Sequence, residues 1–114
     1  MLAAHHRIAN VIVEERDYHV YTGKLNELVG LYESEGIALQ ERYLGRLVGA
    51  FTTDVGRPST YTHIWAYDDF EDRARRRREL QADEAWFAFL ARIQPLIHTQ
   101  ENRILIPTSF SPLR

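Results

Sequence analysis

Residues 11–21 open on three consecutive apolar positions, Val11, Ile12 and Val13, and then pass into charged and aromatic ones. This β-branched and aromatic enrichment predicts a first strand, ended by Thr22 and Gly23. The period then changes. Leu25, Leu28, Val29, Tyr32 and Leu39 recur at helical spacing, while Glu27, Glu33, Glu35 and Gln40 fall largely off that stripe. The pattern predicts a helix from Lys24 to between Glu41 and Tyr43. Gly36 lies inside it, costs up to about 1 kcal/mol relative to alanine, and marks either close packing or a break.

A second strand is predicted over 44–54, with Leu47, Val48 and Phe51 apolar; Gly45 and Gly49 inside it point to a bulge or a close backbone approach. Gly56, Arg57, Pro58 and Ser59 form a turn signal, and Thr60–Tyr67, rich in Thr, Tyr, Ile and Trp, is the third strand. Asp68 is the expected N-cap of the next helix, with Glu71 completing a capping-box-like pair, and that helix runs from Asp69 to about Gln81. Asp83 caps a further segment with Trp86, Phe89, Leu90, Ile93 and Ile97 on one face, its last turn bent or shortened by Pro95. The last strand spans 99–107.

The order is β-α-β-β-α-β with the second helical unit split, the ferredoxin-like arrangement of the α+β class. Its four-stranded antiparallel sheet carries the helices on one face, with the first and third strands as central neighbours. The opposite face is left bare, which is the physical case for a homodimer or higher homo-oligomer.

Composition narrows the picture. A chain of 114 residues, 45% hydrophobic and 26% charged, is expected to form one domain over 11–114 behind a flexible segment over 1–10. A formal net charge of -2 exerts no global pull toward nucleic acid or anionic lipid. The absence of cysteine excludes disulfides and thiolate chemistry and suits a reducing cytoplasm. No apolar run approaches a membrane span, and the first ten residues lack the apolar region of a secretory signal.

An ordered set of short motifs carries a resemblance. It begins with Glu14-Glu15-Arg16-Asp17-Tyr18 and Gly23-Lys24-Leu25, then Leu44-Gly45-Arg46-Leu47-Val48-Gly49 with Phe51-Thr52. His63-Ile64-Trp65-Ala66-Tyr67, Asp72-Arg73, Arg77, Leu80, Trp86 and Phe89-Leu90 follow, and Gln100-Glu101-Asn102 with Phe110-Ser111-Pro112 closes it. From Ile12 to Leu113 the chain resembles the NIPSNAP family. The resemblance implies the dimeric α+β barrel superfamily, shared with cofactor-poor monooxygenases and haem-degrading enzymes, and it implies no settled reaction. Some members are mitochondrial and linked to membranes and trafficking; this chain looks like the short bacterial form. Glu15 departs from the family pattern, standing where relatives commonly carry an aliphatic residue.

The candidate chemistry follows from strand alternation. Side chains two apart share a face, so Glu14, Arg16 and Tyr18 point together, as do His63, Trp65 and Tyr67 on the neighbouring strand. Arg73 and Arg77, four apart on a helix, lie on one face near the end of the third strand. These eight residues are the candidate ligand pocket, for a small molecule that is partly aromatic or bears a carboxylate. His63 is the candidate catalytic residue, an acid or base near neutral pH, with Tyr18 or Tyr67 as hydrogen-bond donors. The alternative is an internal salt-bridge network that fixes the fold without a ligand. Both readings stay open, and an enzyme, oxygenase-like or isomerase-like, stands beside a non-enzymatic interaction protein.

Other signals are weaker. The arginines from Arg73 to Arg78 spread around the helix among Glu71, Asp72, Glu79, Asp83 and Glu84, so a solvated ion-paired helix is expected and nucleic-acid binding is not. His5, His6, His19, His63 and His98 show no metal-ligand spacing, and no metal or cofactor is expected. A role for His63 as haem ligand rests on superfamily analogy alone.

Overall fold

The computed structural model describes residues 11–114. The expected flexible segment over 1–10 lies outside the described residues. Strand β1 (Ile12–Val20) is followed by a helical stretch made of α1 (Leu25–Leu31), a π-helical turn (Tyr32–Gly36) and α2 (Ile37–Leu44). Strands β2 (Arg46–Thr52) and β3 (Thr60–Tyr67) form a hairpin, then come α3 (Phe70–Gln81), α4 (Glu84–Ile93), a 3-10 turn (Gln94–Leu96) and β4 (Ile97–Leu105). The sheet order is β2-β3-β1-β4, antiparallel throughout. The α+β, ferredoxin-like arrangement expected from the apolar pattern is the one observed, with β1 and β3 at the centre.

The helix-facing side of the sheet holds the core. Ile12, Tyr18 and Val20 from β1 and Tyr61, Trp65 and Tyr67 from β3 pack against Leu28, Tyr32, Leu44, Leu80, Trp86, Phe89 and Ile93 from the helices. The other side has no helical layer and is mostly polar. There Arg103 lies 3.7 Å from Glu15 and 3.6 Å from Asp17, Thr62 donates to Asp17, and His19 bridges Thr60 and Glu101. The carboxylate of Glu15 thus falls on the uncovered face. Burial and Asp17 beside it raise its pKa, against the pull of Arg103.

Local boundaries differ from expectation where backbone geometry decides. The N-cap of α3 is Asp69, not Asp68: its side chain accepts from the Asp72 backbone N–H at 2.7 Å, while the Asp68 N–H donates to the Asp72 carboxylate. Asp83 caps α4 as expected, accepting from the Ala85 N–H. Ile97 belongs to β4 rather than to the α4 stripe, because Pro95 confines the chain to a 3-10 turn after Ile93. The expected bulge falls between Leu47 and Gly49, and Gly45 adopts φ +88° where α2 turns into β2. Gly36 resolves as both close packing and irregularity. It ends the π turn, and a Cβ there would lie 2.8 Å from Tyr32 Cδ1 and closer still to the Phe89 ring.

Candidate functional site

The two strand triplets meet on the helix-facing side. The register sets Glu14 opposite Trp65 and Arg16 opposite His63; Tyr18 stands opposite Tyr61, and Tyr67 opposite Ile12. Polar residues therefore enter the middle of the core, where Glu14, His63 and Trp65 have no exposed surface. Such groups fold in only if paired.

Glu14 is paired. Arg73 grips it in two-pronged fashion, Nε to Oε1 at 3.0 Å and Nη2 to Oε2 at 2.9 Å, and Arg16 Nη1 donates to Oε2 at 3.0 Å. From β4, opposite Arg16, Asn102 donates through Nδ2 to Glu14 Oε2 at 3.4 Å; turned over, the same amide would accept from Arg16 Nη1 at 2.7 Å. Arg16 Nε donates to the Tyr18 hydroxyl at 3.2 Å. Burial alone would raise the Glu14 pKa, but the Arg73 hydrogen bonds and the Arg16 and Arg77 charges bring it below the ordinary carboxylate value. Burial likewise works against the Arg16 charge, and Tyr18 and Glu14 more than restore it.

His63 is not paired in full. Its Nδ1 accepts from Trp65 Nε1 at 2.9 Å, so the neutral ring carries its proton on Nε2, and that N–H meets no acceptor. Tyr61 stacks on the imidazole at 5.0 Å between centroids; Tyr18 meets it edge-on, also at 5.0 Å, and Tyr32 lies at 5.6 Å. Desolvation, then the charges of Arg16 and Arg77, lower its pKa to about 3. A ring that charges only near pH 3 is a neutral hydrogen-bond donor under physiological conditions. The Tyr32 and Tyr67 hydroxyls, both buried, also lack partners, and burial raises the pKa of each. Both remain protonated donors.

Beside this cluster, between the π turn and β2, runs a groove of about 400 Å³ lined by Val29, Tyr32, Ile37, Ala50, Phe51 and Tyr61 among others. Tyr32 and Tyr61 line the groove and also pack on His63, so two side chains separate open space from the imidazole. Of the eight candidates, six join one continuous assembly, and Tyr67 and Arg77 lie together at its α3 end. Arg77 reaches it through its charge, one turn beyond Arg73, without an ion pair of its own. Sequence reasoning missed three residues. Tyr61 is in phase with His63 and was readable from alternation, Tyr32 looks like a core residue on its helix stripe, and Asn102 is placed only by the β1–β4 register. Among the described residues, no three His, Asp or Glu side chains gather to hold a metal ion.

The fold recurs in solved proteins. A NIPSNAP family protein from Agrobacterium tumefaciens is 50% identical, with 91% of this chain and 99% of that chain covered at a TM-score of 0.89. A cofactor-independent oxygenase from Streptomyces nogalater covers 91% of this chain and 99% of its own at a TM-score of 0.66, but its 15% identity makes this a likeness of fold alone. The Danio rerio protein NipSnap homolog 1 is 32% identical over 108 residues, 95% of this chain; the chain spans 38% of that relative's length. The NIPSNAP family model itself matches residues 13–112, and the chain belongs to the NIPSNAP family.

Proposed function

We propose that the protein is a homodimer that binds a small molecule on the helix-facing side of β1 and β3. Glu14, Arg16, Tyr18, His63, Trp65, Tyr67, Arg73 and Arg77 line or support the site. One observation carries this reading: the imidazole N–H of His63, fully buried and walled by tyrosines, has no acceptor, and the groove ends against two of those tyrosines. A buried donor left unpaired costs about 1–3 kcal/mol, and a ligand oxygen at Nε2 removes that cost. Opening requires Tyr32 or Tyr61 to swing, and the π turn that carries Tyr32 is the irregular part of its helix.

The donors favour chemistry in which negative charge builds on a ligand oxygen, since neutral His63 and the protonated tyrosines are hydrogen-bond donors without a free base among them. Oxygenase-like or isomerase-like turnover would run on the substrate's own reactivity within that field. The second reading, an interaction protein with a structural network, is favoured by the saturation of Glu14. The cysteine-free composition suits the cytoplasm as the place of action.

A titration separates the readings. Benzoate, benzamide and acetophenone serve as probes, followed by calorimetry. The expected result is saturable binding of at least one, weakened tenfold or more in His63→Phe. Because that substitution orphans the Trp65 N–H, His63→Gln, which keeps a polar partner for that N–H, is the companion variant and should retain more stability than His63→Phe. Absence of binding by all three probes, or binding indifferent to His63, leaves the structural network as the function of these residues.

A further inference from the structure

The sheet flanks the His63 imidazole unequally. On the β1 side its register partner is Arg16, and on the β2 side it is Ala50. Cross-strand partners share a face, so Ala50 stands on the helix-facing side next to the ring. Unlike His63 it is exposed, and it lines the groove of about 400 Å³. A methyl group is therefore all that β2 sets beside the imidazole, and the space a longer side chain would fill is the groove.

The rest of the lining defines what fits there. Tyr32, Phe51 and Tyr61 are aromatic, and Val29 and Ile37 are aliphatic. Among the described residues no cation lines the groove, and its one charged group is the exposed Glu33 carboxylate. The guanidiniums of Arg16 and Arg73 are engaged by Glu14. An organic acid would lose water here beside a like charge, with nothing to pair with. A cation fares no better at the inner end, where His63 itself stays unprotonated against the charges of Arg16 and Arg77. Both ends accept an uncharged molecule that carries a hydrogen-bond acceptor. We infer that the groove seats a flat, uncharged aromatic carbonyl compound, its ring over Ala50 and its oxygen turned to the buried His63 N–H, and that Ala50 sets the size of ring system admitted. Apolar burial and the tyrosine faces hold the ring. Of the aromatic and the carboxylate-bearing ligands expected from the sequence, this selects the first. The inference gives the small-molecule site its ligand class and rests on that reading.

Acetophenone, methyl naphthyl ketone and benzoate test it, titrated into the full-length protein near neutral pH. Wild type should bind acetophenone at least tenfold more tightly than benzoate, and the naphthyl ketone no more weakly than acetophenone. Ala50→Leu should weaken the naphthyl ketone tenfold or more and acetophenone less, with a melting temperature near that of wild type because Ala50 is exposed. Ala50→Val, a better strand former, should act in the same direction with a smaller effect. Benzoate bound as tightly as acetophenone overturns the uncharged class and leaves the site standing. A naphthyl ketone affinity unchanged in both Ala50 variants overturns the seat over Ala50. Binding of none of the three probes overturns this inference and the small-molecule reading together.

Discussion

At Glu14 the cost of burying a carboxylate is offset by two guanidiniums rather than by protonation, whereas at His63 the site keeps the ring neutral. These are opposite solutions to the same desolvation. Both leave the folded-state pKa below the ordinary value, so both link stability to pH in the same direction. For His63 the unfolded chain takes up a proton near pH 6.5 and the folded chain only near 3, so its stability contribution is full above 6.5 and is lost as pH falls toward 3. The expected slope in that window is about 1.4 kcal/mol per pH unit. For Glu14 the contribution is full above 4.5 and is lost as pH falls through the lowered folded value. Urea unfolding between about pH 8 and 4 should therefore show a loss beginning below 6.5 that His63→Phe removes. Glu14→Gln should leave that window unchanged but destabilise at neutral pH by about 3 kcal/mol or more, because Arg16 and Arg73 lose their counter-ion. An identical slope in wild type and His63→Phe would show that the imidazole is not held neutral by the fold.

The helical stretch from Leu25 to Leu44 shows how an element can be legible in period yet not in detail. Its apolar stripe was readable because Leu28 and Tyr32 face the core, but the π turn was not. A π turn accommodates one extra residue per turn where a tertiary contact demands it, and the contact here is the Phe89 ring against Gly36. Two glycines in this stretch should then respond with opposite sign. Gly30 is exposed on α1, and a methyl group added to its Cα would meet nothing within 4 Å, so Gly30→Ala should stabilise by about 0.5–1 kcal/mol. Gly36→Ala should destabilise by about 1–3 kcal/mol, because its methyl group overlaps Phe89 and Tyr32. Thermal or urea unfolding of the two variants reads this directly; stabilisation by both would mean that Phe89 yields without cost. At α3 the shift of the N-cap by one residue has a similar origin. Asp68 and Asp69 are equally good caps in composition, and extended backbone at Asp69 decides between them.

For the whole molecule, the sheet is covered on one side only. The uncovered side carries Arg103 between Glu15 and Asp17, the His19–Glu101 pair, and the exposed apolar side chain of Leu105. A second copy is the occupant proposed for it, with charged rows meeting charged rows around the apolar positions. Sedimentation at micromolar concentration should give twice the 13.3 kDa chain mass, and a compact monomer would contradict the pairing. No helix among the described residues is long and apolar enough to cross a membrane.

Hydrophobic period alone determined the class of fold, the order of the elements and the phase of the two central strands, because each is a local property of neighbouring side chains. It also determined that Glu14, Arg16 and Tyr18 share a face, as do His63, Trp65 and Tyr67. Alternation has no sense of inside and outside when polar residues occupy both phases of β1, so only the tertiary structure decided that these triplets face the helices. It decided as well that Asn102, far from Arg16 along the chain, completes the network, since register across two strands is a long-range property. The protonation state of His63 was equally out of reach, being set by desolvation and by arginines from β1 and α3 that only folding brings together.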